Sequence, residues 1–196
     1  MGILISGSSN VGKTTLATRL ARQLGCDMIS TDSLARHPGR PWPEVRPPVA
    51  EYYSRLSDET IYWFLRVHHE NMWPAIRQQI DARVHARTPF IIEGSALRPE
   101  FIAPLVSDEI SAVFLYADND VLRERMRSEA EYAQRDQARR SIIDKFIERS
   151  LRDNAEMYLA ARSHDITTLD TSDAVAVSNL CDELVQLEIS ARSRQF

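Results

Sequence analysis

Apolar positions along the 196-residue chain switch between short runs and helical spacing. Ile3–Ile5 is a brief β-branched run that ends at Ser6-Gly7, the pattern of a buried strand. From Lys13 to Leu24, Leu16, Ala17, Leu20, Ala21 and Leu24 fall on one helical face, and Gly25 stands where a C-terminal cap belongs. Met28–Ser30 is a second, weaker strand. Phe90–Ile92 and Ala112–Tyr116 are further buried-strand runs, ending at Glu93-Gly94 and before Asp118-Asn119-Asp120. Ile166–Leu169 is the last strand, and Ala174–Ile189 a closing helix.

Between these runs lie longer helical patterns. Ser57 is placed as an N-cap, with Asp58 and Glu59 in the first turn. Ile61, Phe64, Leu65, Met72, Ile76, Ile80 and Val84 keep the helical period, and Pro74 is expected to kink or divide the helix. His37–Pro48, with Pro38, Pro41, Pro43, Pro47 and Pro48, is expected to be an ordered loop over the sheet edge, neither helix nor inner strand. A helix is expected to start near Asp120 and carry Val121, Leu122 and Met126. Ser128–Arg140 is charged and poor in large apolar residues, so it is expected as a loop or mobile helix. Ser141 and Asp144 are spaced as a capping box for the next helix, whose stripe runs from Ile142 to Leu159. Five strands with helical crossovers predict one three-layer α/β domain with a parallel sheet.

Composition narrows the classes. Hydrophobic residues at 43% and charged residues at 27% suit a globular domain with its own core. A net charge of −4 counts against a nucleic-acid partner. No apolar run approaches the roughly 20 residues of a membrane span. Met1–Ser6 has no basic n-region, so a leader is not expected. Cys26 and Cys181 make neither a metal spacing nor a disulfide framework and are expected as reduced core residues of a cytoplasmic protein. The composition leaves the oligomeric state open.

One motif carries specific chemistry. Gly7-Ser8-Ser9-Asn10-Val11-Gly12-Lys13-Thr14 fits G-x-x-x-x-G-K-[ST], set between a strand and a helix. The glycines let backbone N–H groups turn inward toward a polyphosphate, and the following helix points its positive end at the same place. Lys13 would reach the β- and γ-phosphates, and the Thr14 hydroxyl would ligate Mg²⁺. The nucleotide-binding set is thus Gly7, Ser8, Ser9, Asn10, Val11, Gly12, Lys13, Thr14 and Thr15. ATP and Mg²⁺ are the implied co-substrate and ion.

Ligands of an open parallel sheet bind beyond the carboxyl ends of its strands. Asp32 lies there after strand two, as the candidate that orients or deprotonates an acceptor hydroxyl; its alternative role is a helix N-cap. Glu93 lies after strand three, where an acidic residue can hold Mg²⁺ or water. Asp118, Asn119 and Asp120 have the chemistry of a cap. Arginines group at 123, 125 and 127, at 135, 139 and 140, and at 36, 40, 46 and 98, and at least one is expected to serve the transferring phosphate. His68-His69 has no second ligand pair and is expected on the surface or in packing. Trp42 is the one tryptophan retained as a possible ligand contact.

With these residues the chain resembles the small P-loop kinases related to nucleoside-monophosphate kinases, with gluconate, shikimate and 2-phosphoglycerate kinases as cousins. Ile29-Ser30-Thr31-Asp32-Ser33-Leu34-Ala35-Arg36 resembles the segment carrying an acidic residue and an arginine that grips an anionic acceptor. Ile91-Ile92-Glu93-Gly94 with Leu97-Arg98-Pro99 is similar to the third strand of 2-phosphoglycerate-kinase-like proteins. Leu122-Arg123-Glu124-Arg125-Met126-Arg127 is similar to the entry into the lid. The resemblance implies that Arg125 stacks on adenine, that Arg127 and a lid arginine meet the phosphates, and that the adenine lies near Thr171-Ser172-Asp173. The lid lacks the repeated arginines of any one cousin, and the proline loop matches none.

The expected activity is transfer of the ATP γ-phosphate to a hydroxyl or phosphate of a small anionic metabolite. Residues 34–88 would form an acceptor-binding insertion and residues 128–141 the lid. Lys13, Asp32 and Arg127 would be catalytic; Asp32, Arg36, Glu93 and Arg98 would contact the acceptor. The alternatives are a regulatory ATPase with no small-molecule acceptor and a kinase acting on a macromolecule. No N-K-x-D-like guanine-reading motif is present.

Overall fold

A computed structural model describes residues 2–36 and 38–193. Its five strands are β1 (Gly2–Gly7), β2 (Asp27–Ser30), β3 (Phe90–Gly94), β4 (Ile110–Tyr116) and β5 (Thr167–Asp170). They form one parallel sheet in the order β2-β3-β1-β4-β5. β1 is buried throughout its length and is flanked by β3 and β4. Its side chains alternate between two cores: Ile3 and Ile5 pack on one face of the sheet, Leu4 on the other. This is why β1 reads as a continuous apolar run.

Seven helices connect and cover the strands: α1 (Lys13–Leu24), α2 (Pro47–Arg55), α3 (Asp58–Ala86), α4 (Pro99–Ile102), α5 (Asn119–Glu129), α6 (Gln137–Ser163) and α7 (Ala174–Ser193). α1 buries Leu16, Ala17, Leu20 and Leu24 and ends at Gly25, whose backbone is left-handed at φ 61°. The expected bounds of this helix coincide with the observed ones, since both its stripe and its cap are local signals. Ser57 caps α3 by accepting from the Thr60 N–H at 3.2 Å. Asp118 caps α5 by accepting from the Asp120 N–H.

Three expectations about the elements need correction. Pro74 does not divide α3, which runs unbroken over 29 residues. Met72, Ile76 and Ile80 flank the proline and bury against Leu4 and Phe90, so packing along the helix outweighs one missing backbone bond. The proline-rich segment does not stay a loop to Pro48. Pro47 and Pro48 open α2 in its first turn, where an absent N–H costs nothing. His37, the first residue of that expected loop, lies outside the described residues. Finally, Ser141 is not a cap. α6 begins earlier, with the Asp136 carboxylate accepting from the Arg139 N–H at 2.8 Å. The charged stretch before it is a 3-10 turn over Tyr132–Gln134 between two helices.

Neither cysteine forms a disulfide among the described residues; Cys181 is buried in the core, and Cys26 packs half-buried at its edge. No described helix is long and apolar enough to cross a membrane.

Candidate active site

The segment from Gly7 to Lys13 joins the buried end of β1 to the start of α1. Gly12 sits at φ 90°, a conformation that side-chain-bearing residues rarely adopt, with open space beside its Cα. Gly7 is required for a different reason. A Cβ there would lie 2.5 Å from the Leu115 carbonyl oxygen. Backbone strain at Asn10 (φ 64°) completes the loop. Lys13 turns back across the loop and donates from Nζ to the Ser8 carbonyl at 2.6 Å. Ser8 itself is buried, with its hydroxyl toward the Asn154 side chain of α6.

Burial lowers the Lys13 ammonium from its usual pKa, while the carboxylates of Glu93, Asp32 and Asp153 act to hold the proton. Three carboxylates therefore surround one lysine at the ends of β2, β3 and the inner face of α6. Thr14 Oγ1 donates to Glu93 Oε1 at 3.2 Å. Glu93 is buried at the last turn of β3, paired in register with Ile5 of β1 and Ser30 of β2. Among the described residues no group of three or more His, Cys, Asp or Glu could hold a metal by itself. A hydroxyl beside a single carboxylate fits the other mode, in which Mg²⁺ takes one or two protein oxygens and completes its shell with phosphates and water. The donor set is thus compatible with Mg²⁺ bound jointly with a nucleotide.

A cavity of about 280 Å³ opens beside the loop. Ser9, Asn10, Lys13, Thr14, Asp32 and Glu93 line one side of it. Asp32 stands inside a 3-10 turn (Thr31–Ser33), and the next helix begins only at Pro47 with Arg46 as its N-cap, so Asp32 is not a helix cap. The other side is made by α2, α3 and α6: Tyr52, Phe64, Leu65, His68, His69, Met72, Phe146 and Arg149. Residues within 34–88 bound this side of the cavity together with α6.

Several predicted residues lie elsewhere. Arg98 does not reach the cavity, contrary to expectation. It is 1% exposed, donates to Asp153 at 2.9 Å and to Glu100 at 2.8 Å, and is absorbed in a buried ion pair. Burial opposes its charge, and these two carboxylates more than offset it, raising its pKa. Arg36 is exposed and lies outside the cavity lining, away from the place where it is expected to grip an acceptor. Arg127 donates to Asp144 at 3.4 Å and lies 4.7 Å over the Tyr132 ring, outside the cavity. Arg135 and Arg140 are spent on backbone carbonyls of their own segment. Arg125 donates to the Thr171 hydroxyl and carbonyl at 3.1 and 3.2 Å, joining α5 to the loop after β5. Trp42 is core: 5% exposed and edge-on to Phe146 at 4.8 Å. His68 lines the cavity, and His69 is buried beside it with Nε2 3.3 Å from Ser95 Oγ.

Arg149, Asp153 and Asn154 are the residues that sequence reasoning passed over. A signal was present. Phe146, Ser150, Asp153 and Asn154 all fall on the buried face of α6, where polar residues interrupt an otherwise apolar stripe. Buried polar positions of that kind mark either an ion pair or a site.

A glycine-rich loop between the central strand and its helix, with a lysine, a threonine and a carboxylate at the strand ends, defines a P-loop α/β nucleotide-binding domain. An AAA domain family model matches residues 3–156, and the chain belongs to that family. Among curated proteins, the 2-phosphoglycerate kinase of Thermococcus kodakarensis is 28% identical over 200 residues, covering 95% of this chain and 67% of that protein. Two solved structures share the fold. A sugar kinase from Janibacter sp. HTCC2649 aligns at TM-score 0.58 and 19% identity over 95% of this chain and 92% of its own. The shikimate kinase of Aquifex aeolicus aligns at 0.51 and 16% identity over 97% and 98%.

Proposed function

We propose that the protein is a Mg-ATP-dependent phosphotransferase that moves the γ-phosphate of ATP to a small anionic metabolite. One observation carries this: the phosphate loop, Asp32 and Glu93 border the same cavity as the side chains of α2, α3 and α6. A nucleotide and a second, smaller molecule would therefore meet at Lys13. The kinase names of the relatives support the same class of chemistry.

The loop N–H groups and Lys13 would hold the β- and γ-phosphates, with Lys13 leaving the Ser8 carbonyl to do so. Thr14 and Glu93 would hold Mg²⁺, which when bound offsets phosphate charge. Asp32, across the cavity from α6, would accept a hydrogen bond from the acceptor hydroxyl and so orient it for in-line attack. Arg125, fixed on Thr171, would present its guanidinium at the expected adenine side. Arg127 would reach the transferring phosphate after the lid segment, residues 128–141, moves from its present contact with Asp144.

The test is ADP release with Mg-ATP against nucleosides, nucleotides, sugar acids and phosphorylated hydroxy acids, with Lys13→Ala as control. A compound that raises the rate many-fold, with no such rise in the variant, upholds the proposal. Slow release that no compound stimulates would transfer support to a regulatory ATPase or a macromolecular acceptor.

A further inference from the structure

We infer that the acceptor is an anionic alcohol with an apolar, ring-sized body, anchored by Arg149 against an aromatic wall; this rests on the phosphotransfer proposed above. The anchor is identified by what it lacks. Arg66, Arg98, Arg127 and Arg152 each pair with a carboxylate. Arg149, half-buried on α6 and facing the cavity, has no such partner among the described residues. Its guanidinium reaches only two hydroxyls at long range, Tyr53 at 3.3 Å and Ser150 at 3.4 Å, and its Nε is buried without a hydrogen bond. The carboxylate that acts on it most directly, Asp153, is already hydrogen-bonded to Arg98, so this partly desolvated cation is set to receive an anion from outside. The guanidinium carbon also lies over the Phe146 ring, 4.4 Å from its centroid, a cation–π contact that helps hold the side chain in place.

The apolar wall sets the rest of the ligand. Tyr52 lines the cavity and spends its hydroxyl on the Ile61 carbonyl, which leaves its apolar ring as the surface available to a ligand. Phe64 lines the cavity yet is 45% exposed, an apolar surface at the mouth that a bound molecule would cover. Tyr52, Phe64 and Phe146 give this side of the cavity an aromatic stretch that a ring-sized body would cover more fully than a compact polyhydroxy acid. His69 is 2% exposed and has an Nδ1 with no partner. With His68 and Ser95 it supplies the polar points of that side. The acceptor then spans from Arg149 to Asp32, with its hydroxyl at the phosphate-loop end.

The experiment is calorimetric binding of para-hydroxymethylbenzoate, its neutral amide, and glycerate, each in the presence of a non-hydrolysable ATP analogue. Wild type, Arg149→Ala, Arg149→Lys and Phe64→Ala are compared, with ADP release measured in parallel. The aromatic acid should bind more tightly than the amide and than glycerate. Arg149→Ala should weaken it about ten- to a hundredfold, and Arg149→Lys should recover only part. Phe64→Ala, at a position 45% exposed, should weaken the aromatic acid and leave glycerate unaffected, with the melting temperature measured alongside to separate lost contact from lost fold. Equal binding of acid and amide, preference for glycerate, no binding by any of the three, or indifference to Arg149 would overturn the inference. Arg149-dependent binding of the acid without any stimulated ADP release would instead remove the phosphotransfer proposal and leave the pocket assignment standing. Stimulation by glycerate with a KM indifferent to Arg149 would do the reverse.

Discussion

The Thr14 hydroxyl and the Glu93 carboxylate face each other at 3.2 Å, one from the first turn of α1 and the other from the end of β3. The two residues are 79 positions apart, and the β1–β3 register brings them together. If they hold Mg²⁺ jointly with the nucleotide, Glu93→Gln keeps the shape and removes the charge. Turnover should then fall on the order of a hundredfold, and more Mg²⁺ should be needed for half-maximal rate. A Mg²⁺ titration of ADP release checks both; unchanged Mg²⁺ dependence would exclude Glu93 from the ion's shell.

Arg98 belongs to the architecture and not to the acceptor. Replacing Asp153 by Ala would strand its buried guanidinium with Glu100 alone. The cost should be about 3–5 kcal/mol of stability, read by urea denaturation. A double variant with Arg98→Met should recover much of that loss, because the unpaired charge is gone. A loss of less than about 1 kcal/mol would mean water reaches the pair.

His69 should make stability depend on pH. Burial, then the charges of Arg98 and Arg149, push its imidazole well below the usual 6.5, so the folded state holds it neutral. The unfolded chain takes up a proton near pH 6.5, whereas the folded chain does so only at lower pH. Its contribution is therefore complete above about pH 6.5 and is lost as pH falls, with a slope of up to ~1.4 kcal/mol per pH unit in that window. Chemical denaturation between pH 5 and 7.5 should show this slope in wild type and a shallower one in His69→Gln. Equal slopes would assign the acid sensitivity to other groups.

The lid reading makes a kinetic prediction. The Arg127–Asp144 contact is on the surface, where such pairs contribute little. Arg127→Ala should leave the melting temperature within about 2 °C of wild type. Turnover should fall by ten- to a thousandfold if the guanidinium reaches the transferring phosphate. A drop in neither quantity would leave Arg127 as a plain surface residue.

What was readable in the sequence was local. The phosphate loop, the bounds of α1 and the Ser57 and Asp118 caps each rest on residues within a turn or two of one another. Errors came where distant packing decides. Pro74 is tolerated because Met72, Ile76 and Ile80 are held by the sheet, which no window around the proline reveals. Arg98 was assigned to a ligand because it sits in a loop after a strand end. Its partner Asp153 is 55 positions away on α6. Arg149 shares its helix face with Phe146 and Asp153, a mixture that resembles neither a clean apolar stripe nor a solvated one. That Asp32 and Glu93 both border the cavity is legible in advance because strand ends in a parallel sheet are a topological address, independent of which side chains pack nearby.

Glu129, at the end of α5, accepts hydrogen bonds from both Asn10 of the phosphate loop and Arg40 of the proline segment. One carboxylate thus ties together three parts of the chain at the place where a polyphosphate would arrive. A nucleotide bound at this loop would carry the same charge as Glu129 and would compete with it for Arg40 and Asn10. Binding would then exchange an internal anion for an external one. Removing the internal competitor, as in Glu129→Gln, should tighten nucleotide binding while loosening the proline segment, so that affinity and gating are set by opposite demands on one side chain.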